Sequence, residues 1–270
     1  MAAQRRSNLV SRYDLVRGLR MHARVGSSTA PAFATPLIFI HGLGASVRYL
    51  EPTMQCLADR YRVAGVDLPG FGRTQSPDRT LGVRALAETL AAWLDVNEVG
   101  PAVFIANSFG CQVIVELATI DRPRVSGLVL NAPTMDPAHR TALGQLIRVI
   151  ADIPREPFHL AWIVFLDYLR AGPLRLLDTL RIALADHIEE KLPDLPMPTL
   201  VVTGRRDPVV TVRWASEVAR LVGLSVPGAA GGTLSVVQAA AHALPFDDPE
   251  TLASLIHEFV ARVEREATPA

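Results

Sequence analysis

The amino-acid sequence predicts an α/β fold in which a mainly parallel sheet of eight strands is covered by helices on both faces. The first observation is that short apolar runs of strand length alternate with longer segments of helical periodicity along most of the chain. The second is that 49% of the 270 residues are hydrophobic, which is ample material for the buried core of one large domain. The third is that one long helical segment interrupts the alternation.

The predicted elements follow in chain order. Two strands at residues 13–17 and 19–25 meet around Gly18 and form an antiparallel opening. Six further strands are predicted at residues 37–40, 63–66, 102–106, 127–130, 199–203 and 234–239. Helices are predicted at residues 47–60, 83–94, 110–119, 214–221 and 249–263. Because strands and helices take turns, we expect most neighbouring strands to be parallel.

Between Pro133 and Pro198 the alternation stops, and apolar residues recur at mixed spacings of three and four. This pattern predicts a helical cap that is inserted into the core domain. The predicted division of the chain is a first part of the core at residues 1–133, the cap at residues 134–197, and a second part of the core at residues 198–270. The most apolar stretch, residues 158–169, contains Asp167 and is shorter than the span of about 20 residues that crosses a membrane.

The charge and cysteine content of the chain narrow the class of ligand. Twenty-seven basic and 27 acidic residues cancel, without a long run of like charge, which argues against nucleic acid and against an anionic membrane surface as partners. Cys56 and Cys111 lack the spacing of metal ligands, and no motif indicates a cofactor. The first ten residues lack the apolar stretch of a secretory signal. We therefore expect a cytoplasmic protein that binds a small molecule without a metal or cofactor and without stable membrane insertion; the oligomeric state is left open.

A candidate nucleophile, Ser108, follows the apolar strand at residues 102–106 and precedes a predicted helix. A sharp turn between strand and helix holds a serine in a strained backbone conformation and exposes its hydroxyl. The residues two positions before and after it, Ala106 and Gly110, are small enough for such a turn to close. This context favours a nucleophilic serine.

Serine is a poor nucleophile at neutral pH and needs a base that is oriented by a carboxylate. Asp207 and His242 follow the last two predicted strands, at the strand ends where an open α/β sheet presents its ligand site. They also complete the chain order serine, acid, histidine. Asp136, which follows the sixth strand, is the alternative acid, and we favour Asp207.

Backbone amides that stabilise an oxyanion are predicted in the turn after the third strand, which contains His41, Gly42 and Leu43. We expect the N–H groups of Leu43 and Phe109 to form the oxyanion hole and Gly42 to border the substrate. His41 is expected to hold this loop in place. In the predicted cap, Trp162 and Phe165 are expected to line an acyl pocket.

With these motifs in place, the sequence resembles the α/β-hydrolase superfamily over nearly the whole chain. The features that carry the resemblance are the His-Gly pair after the third strand, the loop at residues 67–72 after the fourth, and the serine turn after the fifth. The residues around Ser108 are similar to the branch that includes meta-cleavage-product hydrolases, small-molecule esterases and cofactor-free haloperoxidase-like enzymes. The resemblance implies an α/β-hydrolase fold and a serine hydrolase with a Ser-His-Asp triad.

The bond that is cleaved follows only from the resemblance, and a small apolar carboxylic ester is preferred because many relatives are carboxylesterase-like. A serine at the turn, in place of aspartate, argues against haloalkane dehalogenases and epoxide hydrolases. A carbon-carbon bond hydrolase of the meta-cleavage-product type is the first alternative, although His242 is followed by Ala243 and not by the tryptophan common in that family. A receptor-like protein with slow turnover is the second alternative.

Overall fold

The computed structural model describes residues 9–26, 30–31 and 34–267, so the ends of the predicted core domain lie outside the described residues. Its centre is one sheet of eight strands, labelled in chain order β1 Leu9–Val16, β2 Leu19–Gly26, β3 Pro36–Ile40, β4 Arg62–Val66, β5 Ala102–Asn107, β6 Val125–Asn131, β7 Thr199–Gly204 and β8 Gly232–Val237. Across the sheet the order is β1-β2-β4-β3-β5-β6-β7-β8. The pairs β1–β2 and β2–β4 are antiparallel and all the others are parallel, which confirms the predicted fold class.

From β3 to β8 the helices alternate with the strands, except between β6 and β7, where four helices follow one another. In chain order they are α1 Glu51–Leu57, α2 Val83–Val96, α3 Phe109–Ile120, α4 Ala142–Asp152, α5 Phe158–Ala171, α6 Pro173–Ala185, α7 Ile188–Lys191, α8 Val212–Leu221, α9 Leu244–Asp247 and α10 Pro249–Ala267. Single 3₁₀ turns occur at Val47–Tyr49, Arg122–Arg124, Pro137–His139, Ile153–Arg155 and Leu192–Asp194. Within the described residues, none of the helices combines the length and the apolar character needed to cross a membrane.

The sheet has a hydrophobic core on each of its two faces. Ile38 of β3 packs on one face with residues of α2, α3 and α8, whereas its neighbour Phe39 packs on the other face with residues of α1 and α10. Successive side chains of a strand point to opposite faces, so a strand that is buried on both sides is apolar at every position. This is why the central strands are continuous apolar runs in the sequence.

Three predicted elements have clearly different bounds in the structure. The first strand, predicted at residues 13–17, is Leu9–Val16, and its residues pair with β2 along this whole length. The helix predicted at residues 47–60 is divided into a 3₁₀ turn, Val47–Tyr49, and α1, which begins at Glu51. Pro52 lies in the first turn of α1, because proline has no N–H to donate and its ring would collide with a carbonyl in the interior of a continuous helix. The strand predicted at residues 234–239 is Gly232–Val237, since the chain turns after Val237 and the Arg206 N–H donates to the Ala240 carbonyl at 3.0 Å.

Residues 134–197, called the insertion below, contain α4 to α7, in agreement with the predicted helical character. The proposed domain limits at residues 133 and 198 stay a prediction. The insertion lies against the turn after β3: a Cβ atom added to Gly44 would come within 2.7 Å of both Leu176 and Tyr168. The Ser46 hydroxyl also donates to the buried Asp167 carboxylate of α5 at 2.5 Å. Helices α5 and α6 are therefore packed closely on the loop predicted to hold the oxyanion.

Candidate active site

Ser108 occupies a strained position between β5 and α3. Its backbone angles are φ 57° and ψ −124°, a combination that few non-glycine residues adopt and that active sites often retain. Gly110 allows the turn to close, because a Cβ atom there would lie 2.6 Å from the His41 carbonyl oxygen and 2.7 Å from that of Ile40. The side chain of Ser108 is partly exposed, while its neighbours Asn107 and Phe109 are buried. The sequence pattern and the backbone geometry thus agree at this turn.

The carboxyl ends of the central strands bring the other candidate residues to the same edge of the sheet. Ile40 of β3 pairs with Ala106 of β5, so the turns that follow these two strands begin at the same level. The chain after β8 folds back over Gly204 of β7, where an added Cβ atom would lie 2.3 Å from the Ala240 carbonyl oxygen. That close approach carries the residues around His242 toward the end of β7.

Asp207 and His242 form a direct contact. The His242 Nδ1 and Asp207 Oδ2 atoms are 2.8 Å apart, and the Asp207 side chain is fully buried. The other carboxylate oxygen of Asp207 accepts the N–H groups of Val209 and Val210 at 2.7 Å and 2.9 Å. These bonds fix the carboxylate so that one oxygen faces the imidazole, which is the arrangement that orients a catalytic histidine.

The alternative acid, Asp136, has a different partner. Its Oδ1 atom accepts the Ala138 N–H at 2.9 Å and begins the 3₁₀ turn Pro137–His139. Asp136 therefore has a local capping bond, whereas the contact with His242 is made by Asp207. The geometry supports the choice of Asp207 as the orienting acid.

Two carboxyl groups of the insertion also lie beside His242. Burial by itself would lower the pKa of the imidazole, but the charge and the hydrogen bond of Asp207, with added contributions from Asp152 and Glu156, raise it to about 9. Burial raises the pKa of Asp152, the negative charge of Asp207 adds to this rise, and His242 opposes it. The histidine is thus held in an acidic environment that comes partly from the core domain and partly from the insertion.

Glu156 joins the insertion to the segment that follows His242. Its Oε1 atom accepts the Ala243 N–H at 3.0 Å. Burial, a hydrogen bond with Asp247 and the charge of Asp152 raise the pKa of Glu156 to about 9. Glu156 therefore keeps its proton to a higher pH than an ordinary carboxyl group does, which lessens its repulsion with Asp152 and Asp247.

The turn after β3 lies directly against Ser108. A Cβ atom added to Gly42 would be 3.2 Å from the Ser108 Cβ atom, so a glycine is needed for this approach. The Gly42 N–H donates to the Tyr49 hydroxyl at 2.8 Å and so has a partner within the loop.

Leu43, the next residue, is partly exposed. Phe109 is the first residue of α3, a position whose N–H has no acceptor in its own helix. Leu43 and Phe109 remain the candidate oxyanion donors.

A hydrogen-bond chain connects this turn to the other two parts of the site. The Tyr49 hydroxyl donates to Asn107 Oδ1 at 2.8 Å, and Asn107 Nδ2 donates to the His242 carbonyl at 3.3 Å. Gly42, Tyr49, Asn107 and His242 are therefore linked in series through buried or part-buried bonds. Tyr49 was not predicted from the sequence, because no motif places a tyrosine there.

His41 has the structural role that the sequence analysis favoured. Its Nε2 atom accepts the Leu68 N–H at 2.9 Å, and its Nδ1 atom lies 2.8 Å from the Gly42 carbonyl oxygen. Burial lowers the pKa of His41, against the opposing charge of Asp67, so the ring is neutral. The neutral ring holds the turn after β3 to the loop after β4.

The predicted substrate-binding residues of the insertion lie at its surface. Trp162 and Phe165 of α5 are 56% and 50% exposed and stack with their ring centroids 5.6 Å apart. Their contact with a substrate stays a prediction. Asp152 and Glu156 were not identified from the sequence, because Asp152 is one of several polar residues on α4, beside Gln145 and Arg148.

Comparisons with known proteins agree with this fold. A model of the alpha/beta hydrolase family matches residues 37–255. The chain is 27% identical over 227 residues to the magnesium-chelatase 30 kDa subunit of Rhodobacter capsulatus, a match that covers 72% of this chain and 78% of that protein. A membrane phospholipase A described as a bacterial virulence factor aligns with a TM-score of 0.80 at 19% identity, covering 96% of this chain and 87% of that chain. The enol-lactonase from Burkholderia xenovorans LB400 aligns with a TM-score of 0.77 at 20% identity, covering 93% and 100%.

Proposed function

The chain belongs to the alpha/beta hydrolase family, and we propose that it is a serine hydrolase that cleaves small, apolar carboxylic esters. The observation that carries this proposal is the 2.8 Å contact between His242 and the buried Asp207, at the sheet edge where Ser108 has a strained backbone. Serine hydrolases with a catalytic triad use this pairing, because the carboxylate orients the imidazole and stabilises its charged form.

In the proposed reaction, unprotonated His242 accepts the Ser108 hydroxyl proton while the serine oxygen attacks the ester carbonyl carbon. The N–H groups of Leu43 and Phe109 stabilise the resulting oxyanion. The intermediate collapses, His242 returns the proton to the leaving alkoxide, and an acyl-enzyme forms. Water, deprotonated by His242, then releases the acid and restores Ser108.

Two observations favour an ester as the substrate. The insertion packs the Tyr168 and Leu176 side chains against the turn after β3 that borders Ser108, and such side chains suit an acyl chain. One of the similar structures is an enol-lactonase, and a lactone is a cyclic carboxylic ester. We expect the enzyme to act in the cytoplasm, which stays a prediction of the sequence analysis.

The first test is the variant Ser108→Ala. We expect it to abolish hydrolysis of short p-nitrophenyl esters and labelling by a fluorophosphonate probe, because no other nucleophile replaces the serine. The control is Ser254→Ala, whose hydroxyl lies on α10 and bonds to Glu258. Wild-type turnover by Ser108→Ala would refute the proposed nucleophile.

The same assay compares the two candidate acids. Asp207→Asn should reduce kcat by about 10³- to 10⁴-fold, because the histidine loses its orienting charge. Asp136→Asn should keep activity close to wild type, since Asp136 caps a local turn. The reverse result would make Asp136 the acid.

A panel of substrates that adds lactones and a carbon-carbon substrate to the esters then identifies the bond that is cleaved.

A second candidate function is that of a ligand-binding protein with slow turnover. The similarity to the magnesium-chelatase 30 kDa subunit favours it, because that relative is named as one subunit of an assembly and the match spans 72% of this chain. A single-turnover burst with the fluorophosphonate or an ester, without further hydrolysis, would support this second candidate. Steady turnover of the ester panel would exclude it.

A further inference from the structure

A polar cavity of about 220 Å³ lies where helix α5 meets the loops after β3 and β4. In the part of the chain that the structure describes, no apolar side chain lines it, and none of the three candidate catalytic residues does. Four arginines from four segments border it: Arg24 on β2, Arg48 after β3, Arg73 after β4 and Arg170 on α5. The cavity is therefore separate from the candidate active site and suits a polar ligand.

One buried carboxylate, that of Asp67, holds two of the loops that carry these arginines. Its Oδ1 atom accepts the Val47 N–H at 2.8 Å, and Val47 directly precedes Arg48. Its Oδ2 atom accepts the N–H of Arg73 itself at 2.9 Å. Two loops that follow different strands are thus tied to one point, which keeps their arginines at the same cavity.

Strand β2 supplies a third arginine beside the same carboxylate. His22 Nδ1 lies 2.8 Å from Asp67 Oδ2, and Arg24 follows two residues later on the same face of the strand. The Arg24 guanidinium makes a double contact with Glu51, at 3.0 Å and 3.3 Å. This pair forms a fixed wall of the cavity.

The fourth arginine comes from the insertion through the buried Asp167. One carboxylate oxygen of Asp167 accepts the Ser46 hydroxyl at 2.5 Å. The other oxygen lies 3.3 Å from Arg170 Nη1 and 3.9 Å from Arg48 Nη1. Asp167 thus keeps Arg170 of α5 close to Arg48 of the core domain, and the cavity is built by both parts of the chain.

The charges around the cavity are of both signs, but its acceptors are already used. The four arginines exceed the three carboxylates of Glu51, Asp67 and Asp167 by one. Each oxygen atom of these carboxylates has a partner, which is an arginine, a backbone N–H, His22 or the Ser46 hydroxyl. A ligand of this cavity therefore meets groups that can still donate hydrogen bonds, and few that can accept them.

The remaining donors belong mainly to Arg48 and Arg73. A guanidinium group has five N–H donors in a planar fork. Among the described residues, the one carboxylate within 4 Å of Arg48 is Asp167, at 3.9 Å, and the Arg73 side chain contacts the Ser11 hydroxyl at 3.4 Å. The side chains of Arg48 and Arg170 are 36% and 52% exposed, so a ligand can reach them from water.

From this geometry we propose that the cavity binds a phosphate group, either as free phosphate or as a small phosphate monoester. Phosphate oxygens accept pairs of hydrogen bonds from planar guanidinium groups. A phosphate also presents more acceptor oxygens than a carboxylate, so it can contact arginines that approach from different segments. Arg48 and Arg73 provide the unused donors, and Arg170 adds a contact from α5.

This inference goes beyond the proposed function and does not depend on it. A phosphate held between Arg48 and Arg170 would join the core domain to the insertion. Because the ligand binds the folded protein, it should raise the melting temperature in proportion to its occupancy.

The first test is isothermal titration calorimetry of the full chain with inorganic phosphate, at constant ionic strength. We expect saturable binding that becomes weaker when sodium chloride is added. The double variant Arg48→Gln with Arg73→Gln should weaken binding at least about tenfold, because charge-assisted hydrogen bonds are lost. The control is Arg213→Gln with Arg265→Gln, which removes two exposed arginines outside the cavity.

Thermal unfolding gives an independent measurement. Phosphate also stabilises proteins because it is excluded from their surface, and this effect should be equal in all variants. Binding to the cavity should add a saturable rise of Tm in the wild type and in the control, which the variant of Arg48 and Arg73 lacks. The Tm of each variant without phosphate verifies that it is folded.

Phenyl phosphate distinguishes the two sources of the phosphate group. If it binds more tightly than inorganic phosphate, the cavity takes a phosphate monoester. If it binds equally or more weakly, the cavity takes free phosphate. In both cases the variant of Arg48 and Arg73 must bind more weakly than its control.

Three results would overturn the phosphate site. The first is the absence of both a heat of binding and a saturable Tm rise with either probe. The second is equal binding by the variant of Arg48 and Arg73 and its control. The third is a loss of binding in His242→Gln that the arginine variant does not show, which would place the phosphate in the active site. Ser108→Ala should bind phosphate like the wild type, so a failure of the proposed hydrolysis is distinguishable from a failure of this site.

Discussion

The Asp207 carboxylate uses its two oxygens for different purposes, and this division determines the state of His242. One oxygen accepts two backbone N–H groups after β7, and the other contacts the imidazole. The backbone bonds fix the carboxylate, so its charge acts on the histidine from a constant position. With Asp152 and Glu156 nearby, the pKa of His242 rises to about 9. At neutral pH the resting histidine is then largely protonated, and the base form is the minor one.

A pH profile tests this environment. We expect kcat/KM for a p-nitrophenyl ester to rise with pH with a midpoint near pH 9, because His242 must lose its proton before it accepts that of Ser108. Asp152→Asn removes a charge that raises the pKa of His242, so the rise should move to lower pH. The control is Asp178→Asn, a partly exposed acid of the same insertion. If kcat/KM of Asp152→Asn rises at the same pH as in the wild type, or at a higher pH, the role given to Asp152 is contradicted.

The residues that the sequence identified are those tied to a backbone requirement. Ser108 was found because its turn needs small neighbours, and Asp207 and His242 because they follow strands in the expected order. Tyr49 and Glu156 were missed because their partners, Asn107 and the Ala243 N–H, come from distant parts of the chain. Such contacts depend on packing, which no local pattern encodes.

At the scale of the element, the turn after β3 is stabilised by one side chain. The Tyr49 hydroxyl accepts the Gly42 N–H and donates to Asn107, so it joins the 3₁₀ turn Val47–Tyr49 to the serine turn. Both partners are buried, and burial raises the pKa of the Tyr49 hydroxyl far above its ordinary value. The hydroxyl therefore stays protonated and remains a donor.

Removing this hydroxyl should affect both stability and rate. We expect Tyr49→Phe to lower the free energy of unfolding by about 1–3 kcal/mol, because a buried N–H and a buried amide oxygen lose their partner. The displaced turn should also reduce kcat/KM about tenfold. Urea unfolding and ester kinetics measure the two effects. Tyr61→Phe is the control: Tyr61 bonds to His257 on α10, so its loss should change stability alone. Wild-type kinetics in Tyr49→Phe would contradict the proposed positioning role.

Elements with a clear hydrophobic periodicity were predicted well, whereas features that depend on tertiary contacts were not. Strands β3 to β7 differ from their predicted bounds by only a few residues, since continuous apolar runs match strands that are buried on both faces. The amphipathic period of α4 was equally visible in the sequence. Its orientation was not, because a periodic pattern indicates two faces without indicating which one is buried.

At the scale of the whole molecule, the alternation of strands and helices was sufficient to predict a mainly parallel sheet, whereas the order of its strands was not predicted. What could not be predicted is how the insertion closes on the site. The contact of Tyr168 and Leu176 with Gly44 and the bond from Ser46 to Asp167 join residues more than a hundred positions apart. Through these contacts the insertion supplies carboxyl groups to the environment of His242, so the acidity of the site is a property of both parts of the chain.

This shared environment should make the stability of the whole protein depend on pH. The pKa of His242 is raised from 6.5 to about 9, and that of Glu156 from 4.5 to about 9. Between the unfolded and the folded pKa, the folded protein keeps a proton that the unfolded chain has lost. The unfolded state therefore binds fewer protons, and the free energy of unfolding falls as pH rises. Glu156 contributes to this loss from about pH 4.5 and His242 from about pH 6.5, so the steepest fall should lie between pH 6.5 and pH 9.

Urea unfolding at a series of pH values measures this dependence. Glu156→Gln keeps an acceptor for the Ala243 N–H but cannot ionise, so we expect a shallower fall between pH 4.5 and pH 9. His242→Gln should remove the part that begins at pH 6.5. Glu250→Gln, an exposed acid on α10, should leave the slope unchanged and is the control. If the free energy of unfolding of the wild type stays constant or rises between pH 4.5 and pH 9, the carboxyl groups around His242 do not hold its proton in the folded protein. The rise of activity toward alkaline pH should then disappear as well.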